Sequence, residues 1–181
     1  MSRPAKAGET VSLVDAETFA SIVTDAAHLY GEAMQRSPEL VVQRREIMQS
    51  HVHRRGLVAT VATAESGELI GFGYGYRGRA GEWWHDVVAK ALGREAARRW
   101  LSDAFEIAEL HVTPAAQGHG LGRRLLAELL VNGAGRTVVL STHDRESAAR
   151  ALYRSVGFDD LLRGFVFPGS TEVYAVMGLE R

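Results

Sequence analysis

Between residues 105 and 131 the chain passes from an apolar, strand-like run through Gln117-Gly118-His119-Gly120-Leu121-Gly122 into a helical stretch, which Asn132-Gly133 brings to a stop. A strand that turns into a helix over alternating glycines constrains the fold strongly. The helix has to lie back over a sheet, which commits the chain to a layered α/β arrangement. The turn also has a chemical consequence. The N–H groups of the first helical turn lack internal partners, and glycine leaves the main chain open to close approach. With the positive end of the helix dipole, roughly half an elementary charge, they form a place for an anion such as a diphosphate. The same three glycines can equally make a tight connection that binds nothing, because short glycine motifs often arise by chance.

The rest of the chain alternates in the same manner. Residues 10–14 read as a short strand. Asp15 can cap a helix whose stripe is Thr18, Phe19, Ile22, Val23, Ala26 and Leu29. Gly31 and Ser37-Pro38 are expected to interrupt it, and a second helix follows at about 39–51. Strands at 57–64 and 69–76 flank a Ser66-Gly67 turn. Residues 77–103 depart from this rhythm. They carry Trp83, Trp84 and a helix from about 86 to 100. A strand at 105–112, a helix at 120–131 and a strand at 137–142 come next. Asp144 is expected to cap a helix at 145–156, with Gly157 ending it, before strands at 158–167 and 172–179. The order βααββ, insert, βαβαββ predicts a mixed α/β sheet covered by helices.

With 181 residues the chain suits one domain, expected over 10–181, with 78–103 as a helical insert and 1–9 as a flexible N-terminus. A net charge of -1 argues against a general nucleic-acid binder. The absence of cysteine excludes disulfides, thiolate metal sites and a cysteine nucleophile. No metal site is expected: His51-x-His53 has no acid at ligand spacing and reads as a solvated helix end. Residues 1–8 lack the apolar run of a signal peptide, and no stretch approaches the roughly 20 apolar residues of a membrane span. A cytoplasmic protein that does not engage membranes is expected.

Gln117-x-x-Gly120-x-Gly122, after Leu110-His111-Val112, resembles the Q/R-x-x-G-x-G/A signature of the GNAT superfamily of N-acetyltransferases. Ala149-Arg150-Ala151-Leu152-Tyr153-Arg154-Ser155-Val156-Gly157-Phe158 resembles its second signature, A-x-x-L-Y-x-x-x-G-F. The resemblance runs from about Thr10 to the C-terminus. It implies the GNAT-like acyl-CoA N-acyltransferase fold: six or seven strands with a splayed central pair, and about four helices plus the insert. It implies transfer of an acetyl group from acetyl-CoA to a primary amine of a small-molecule or peptide acceptor. Alternatives are another acyl-CoA, a hydroxyl acceptor, or a CoA-binding sensor or interaction module without catalysis. A homodimer is the family-based expectation. Cofactor contacts would come from Leu110, His111 and Val112 on the strand, from Gln117, Gly118, His119, Gly120, Leu121, Gly122 and Arg123 at the loop, and from Tyr153. Where the family often has Asn three residues before Ala149, this chain has Glu146, so that contact is expected to be altered.

Acyl transfer to an amine needs a polarised carbonyl, a deprotonated amine and a proton for the departing thiolate. Phe105 and Ile107 place apolar residues at odd positions, Leu110 and Val112 at even ones. A bulge near 108–110 would explain the change of parity, as would a strand buried on both faces. Glu109, in a run from Phe105 to Val112 that is otherwise apolar apart from Glu106 near its start, is the candidate base, a role that the resemblance implies, acting directly or through water. A structural ion pair with an arginine is the competing role, since a buried carboxylate needs a partner. Tyr153 is the candidate acid by resemblance. His143-Asp144 could supply another base or merely cap a helix. Trp83, Trp84 and Trp100, with Tyr74 and Tyr76, either line an acceptor pocket or pack the insert.

Overall fold

The structure is a computed structural model and describes residues 8–181. Residues 1–7 of the N-terminus expected to be flexible therefore lie outside the described residues. The strands form a seven-stranded mixed sheet in the order β1-β2-β3-β4-β5-β7-β6. The chain folds as two compact units, one holding the residues up to Tyr76 together with Glu109–Gly133, the other Arg77–Ala108 and Ala134–Arg181. Strand β4 (Ala104–Val112) contributes to both. Among the described residues no helix is long and apolar enough to cross a membrane.

In the first unit β1 (Thr10–Val14), β2 (Val58–Thr63) and β3 (Leu69–Arg77) pair antiparallel. Gly67, at φ +85, makes the β2–β3 turn, its N–H donating to the Ala64 carbonyl at 2.9 Å. Asp15 caps α1 (Ala16–Met34) by accepting from the Thr18 N–H at 2.8 Å. This helix continues through Gly31, contrary to the sequence expectation. A β-carbon at Gly31 would stand 2.4 Å from Cγ2 of Val41 on α2 (Pro38–His51), so the glycine serves close helix packing rather than helix termination. Gln35, at φ 51, ends α1 instead. Helix α5 (Leu121–Asn132) buries Leu121 and Leu125 against Ala62, Ile70, Val112 and Ala116. Each buried leucine of this kind contributes about 1.5–3 kcal/mol.

In the second unit β4 runs parallel to β5 (Thr137–His143) over the pairs from Ala104↔Thr137 to Glu106↔Val139. β7 (Tyr174–Glu180) lies antiparallel between β5 and β6 (Asp159–Phe165). The insert is two helices rather than one, α3 (Trp83–Leu92) and α4 (Arg94–Leu101), because Gly93 at φ 78 breaks the run. They cover Val139 and Val176 with Val88, Leu101, Trp84 and Trp100. Helix α6 (Ala148–Ser155) is capped by Ser147, whose hydroxyl accepts from the Arg150 N–H. Asp144, the expected cap, is engaged elsewhere: it accepts from Arg150, Arg163 and the Gly164 N–H. A charged carboxylate finds stronger partners in two guanidinium groups than in a helix end.

Candidate functional site

The loop between β4 and α5 is shaped by its own residues. The Thr113 N–H bonds to the Ile70 carbonyl at 2.9 Å, and a 3₁₀ turn, Pro114–Ala116, follows. Gln117 reaches back and donates from Nε2 to the Val112 carbonyl at 3.0 Å. Its side chain thus braces the loop against the strand end. His119 lies with Nδ1 3.4 Å from the Ala116 carbonyl. Gly118 and Gly120 stand at φ +80 and +81, and a β-carbon at either would meet nothing within 4 Å. Neighbouring protein does not demand glycine there. The left-handed backbone does, and the space beyond it is open to a ligand.

Gly120 is the N-cap of α5, which has no side-chain cap and no acid in its first turn. The orphan N–H groups and dipole of that turn are therefore available to an anion. Leu121, 1% exposed, anchors the start of the helix in the core. Arg123 is exposed beside this turn, while Arg124 is tied to the Glu9 carbonyl at 3.4 Å. A diphosphate fits these donors, and its charge matches theirs.

A few residues upstream on β4 lies a polar cluster in the same unit. Glu109 is buried with only 6% of its side chain exposed. One carboxylate oxygen accepts from Arg44 Nη1 of α2 at 2.9 Å, and the other lies 2.6 Å from His111 Nε2. Arg44 also lies 4.8 Å over the Tyr30 ring. His111 meets Tyr30 edge-on at 5.3 Å and Phe72 at 5.6 Å. Burial alone would push the Glu109 carboxyl up. Arg44 and then His111 outweigh it and hold the group below its ordinary value. The same attraction raises Arg44. The arginine partner anticipated for Glu109 thus exists, 65 residues away in sequence. Its identity had no local signal. The Glu109–His111 contact did have one, since residues two apart on a strand share a face.

His51 is not a solvated helix end. It is partly buried, its Nδ1 lies 3.0 Å from the Tyr74 hydroxyl, and its ring meets Tyr76 at 4.9 Å. Burial, reinforced by Arg54, pushes its imidazole down to about 4. The unfolded chain therefore protonates first, and stability falls as pH drops from 6.5 through 4. Discounted for the partial exposure of the ring, the loss is on the order of 1–2 kcal/mol. The depressed Glu109 carboxyl acts in the same direction at lower pH: its contribution is present above 4.5 and lost as pH falls through the folded value. Urea unfolding at pH 7.5 and 4.5 should show this slope in the wild type and a flatter one in His51→Gln. Equal slopes would remove His51 as its source.

The remaining predicted site residues lie in the second unit. Tyr153 on α6 is 6% exposed and packs on Phe158 at 5.7 Å. Glu146 is exposed and paired with Arg154 at 3.0 Å. Arg150, which the sequence did not single out, is fully buried between Asp144 and Asp160. The aromatic residues divide. Tyr74 and Tyr76 are buried in the first unit, and Tyr74 packs on Phe19 at 4.8 Å. Trp84 and Trp100 pack the insert, and Trp84 Nε1 donates to the Ser141 hydroxyl at 3.2 Å. Trp83 stays 58% exposed beside Phe167.

A profile of the Acetyltransferase (GNAT) domain matches residues 55–160. A GCN5-like protein acetyltransferase of Mycobacterium tuberculosis is 33% identical over 183 residues, covering 85% of this chain and 89% of the relative. Among solved structures, the ribosomal-protein-S18-alanine N-acetyltransferase from Escherichia coli superposes with a TM-score of 0.64 at 20% identity, over 95% of this chain and 93% of that one. The protein yncA from Salmonella typhimurium, solved with its cofactor acetyl-CoA, gives 0.63 at 20% identity, over 96% and 94%. At these identities the two structures speak for the fold.

Proposed function

Since the chain belongs to the GNAT acetyltransferase family and has its fold, we propose that it transfers the acetyl group of acetyl-CoA to a primary amine, by direct attack of the amine on the thioester. The observation that carries this reading is the uncapped start of α5, with Gly118 and Gly120 holding open the space in front of it. In this reading the N–H groups of that turn bind the cofactor's diphosphate, with Arg123 adding charge and Gln117 keeping the loop in shape. His119, Leu121 and Gly122 belong to the same cradle, and the main chain of Leu110, His111 and Val112 faces the rest of the cofactor. Acetyl-CoA supplies the activated acyl group. The residues supply the proton traffic: the amine's proton leaves into the polar cluster built on Glu109, and Tyr153 protonates the departing thiolate. Glu146 stands where the family often contacts the cofactor, and its pairing with Arg154 supports the altered contact.

The names of the relatives favour an amine on a protein or peptide over a free small molecule. The test is thiol release from acetyl-CoA with a panel of peptides bearing free N-termini, free amino acids and polyamines, beside heat-stabilisation by CoA. Stabilisation and amine-dependent thiol release are expected, and Tyr153→Phe should lower kcat by about 10-fold or more while leaving CoA stabilisation intact. Stabilisation without any thiol release would instead identify a CoA-binding module. Failure of both would end the reading.

A further inference from the structure

We propose that His111 is the group that takes the proton from the acceptor amine, and that Glu109 is the positioning residue that holds its imidazole for this task; this rests on the acetyl-transfer reading above. The geometry comes first. Both side chains stand on one face of β4, with Nε2 2.6 Å from the carboxylate. Arg44 engages the other carboxylate oxygen at 2.9 Å, so neither oxygen of Glu109 is left without a partner. A carboxylate kept ionised by an arginine can only accept, so the proton between the two groups sits on Nε2. The neutral ring then carries its lone pair on Nδ1. Among the described residues Nδ1 makes no hydrogen bond. His111 is also the more accessible of the two, 14% of its side chain exposed against 6% for Glu109.

The surroundings hold the ring in place. The groups facing it are Glu109 on its own strand, Tyr30 edge-on from α1, Phe72 from β3, and, through the carboxylate, Arg44 from α2. His51, also on α2, is kept neutral by burial and adds no charge to the cluster near neutral pH. Glu109 itself is a weak base here, because Arg44 and His111 together more than offset the upward push of burial on its carboxyl. An amine with a pKa of about 10 needs a stronger acceptor than such a carboxylate, and imidazole is one.

The step balances as follows. The ammonium form of the acceptor gives one proton to Nδ1 of His111, forming an imidazolium whose charge Glu109 stabilises. The freed nitrogen lone pair attacks the thioester carbon. The C–N bond forms and the C–S bond breaks, with the electron pair leaving on sulfur. The imidazolium then returns that proton to solvent. The nitrogen loses its second proton to solvent as the amide forms, and Tyr153 protonates the thiolate and regains its own proton from solvent, so the net products are the amide, the CoA thiol and one proton.

The test compares the wild type with His111→Gln, Glu109→Gln and His111→Gly, using the most active amine of the panel. His111→Gln should lower kcat by about 100-fold or more and abolish the acidic limb of the kcat/KM profile, with acetyl-CoA affinity unchanged within about 2-fold. Glu109→Gln should lose less, about 10-fold, and move that limb to lower pH, because the stabilising charge is gone. Added imidazole should restore turnover to His111→Gly in proportion to its concentration. Nitrogen NMR of the neutral ring in the wild type should show its proton on Nε2 and the lone pair on Nδ1. A ring protonated at Nδ1, His111→Gln with the wild-type kcat and limb, or a larger loss in Glu109→Gln than in His111→Gln would overturn the assignment. The last result would make the carboxylate the base. A wild type that shows no amine-dependent thiol release would sink the acetyl-transfer reading, and this role with it.

Discussion

Arg150→Ala should cost about 4 kcal/mol of folding stability and lower the Tm by roughly 10 °C. Arg150 has no exposed surface. Its Nη1 meets Asp144 at 2.7 Å and its Nη2 meets Asp160 at 2.6 Å. Truncation leaves a cavity beside two carboxylates, one of them only 7% exposed. Removing one partner of a buried pair is the expensive change, because the other charges stay behind uncompensated. Arg163 still holds Asp144, so the loss should stop short of complete unfolding. Arg154→Ala is the control. That side chain is 39% exposed, pairs with the largely solvated Glu146 and reaches Asp160 only at 3.4 Å, so its loss should lower the Tm far less than that of Arg150. The Arg150 network fastens α6, the helix that carries Tyr153 one turn further on. Thermal unfolding of both variants checks the contrast, and similar shifts would contradict it.

Gly120→Val should leave a folded protein whose acetyl-CoA affinity is lower by at least about 100-fold. Two effects combine. A β-branched residue at φ +81 strains the first turn of α5 by about 1–2 kcal/mol. Its side chain then occupies the space where a diphosphate would approach the helix N–H groups. Gly67 separates strain from blockage. It has a φ of +85 and equally empty surroundings, but it sits in the β2–β3 turn. Gly67→Val should lose a comparable amount of stability and keep wild-type affinity. Calorimetric titration of the two variants reads the difference directly. Equal affinities would mean that the loop does not contact the cofactor.

What could be read from the sequence was what is local. The Asp15 cap needs only the Thr18 N–H three residues on, and it is found as expected. The turn at Gly67 and the strand–loop–helix passage into α5 are equally short-range, and both hold. Glycine was ambiguous where its reason lay in another element. Gly31 looked like a helix stop but is a contact point for Val41, which no window along α1 could reveal. Gly93, by contrast, breaks a run whose pattern reads as one helix, because its φ of 78 suits a junction of two helices. Charged residues were misplaced for the same reason. Asp144 has the type and position of a cap, yet Arg150 and Arg163 claim it and Ser147 caps α6. Arg44 and Glu109 meet across 65 positions, so the sequence could state that a partner was needed without naming it.

The first turn of α5 is proposed to hold the diphosphate of the cofactor. Affinities for acetyl-CoA and for S-acetylpantetheine, which keeps the thioester arm but lacks the nucleotide diphosphate, test it most directly. S-acetylpantetheine should bind at least about 100-fold more weakly to the wild type, and Gly120→Val should reduce this ratio to near unity. Equal binding of the two ligands by the wild type, or a ratio untouched by Gly120→Val, would contradict it.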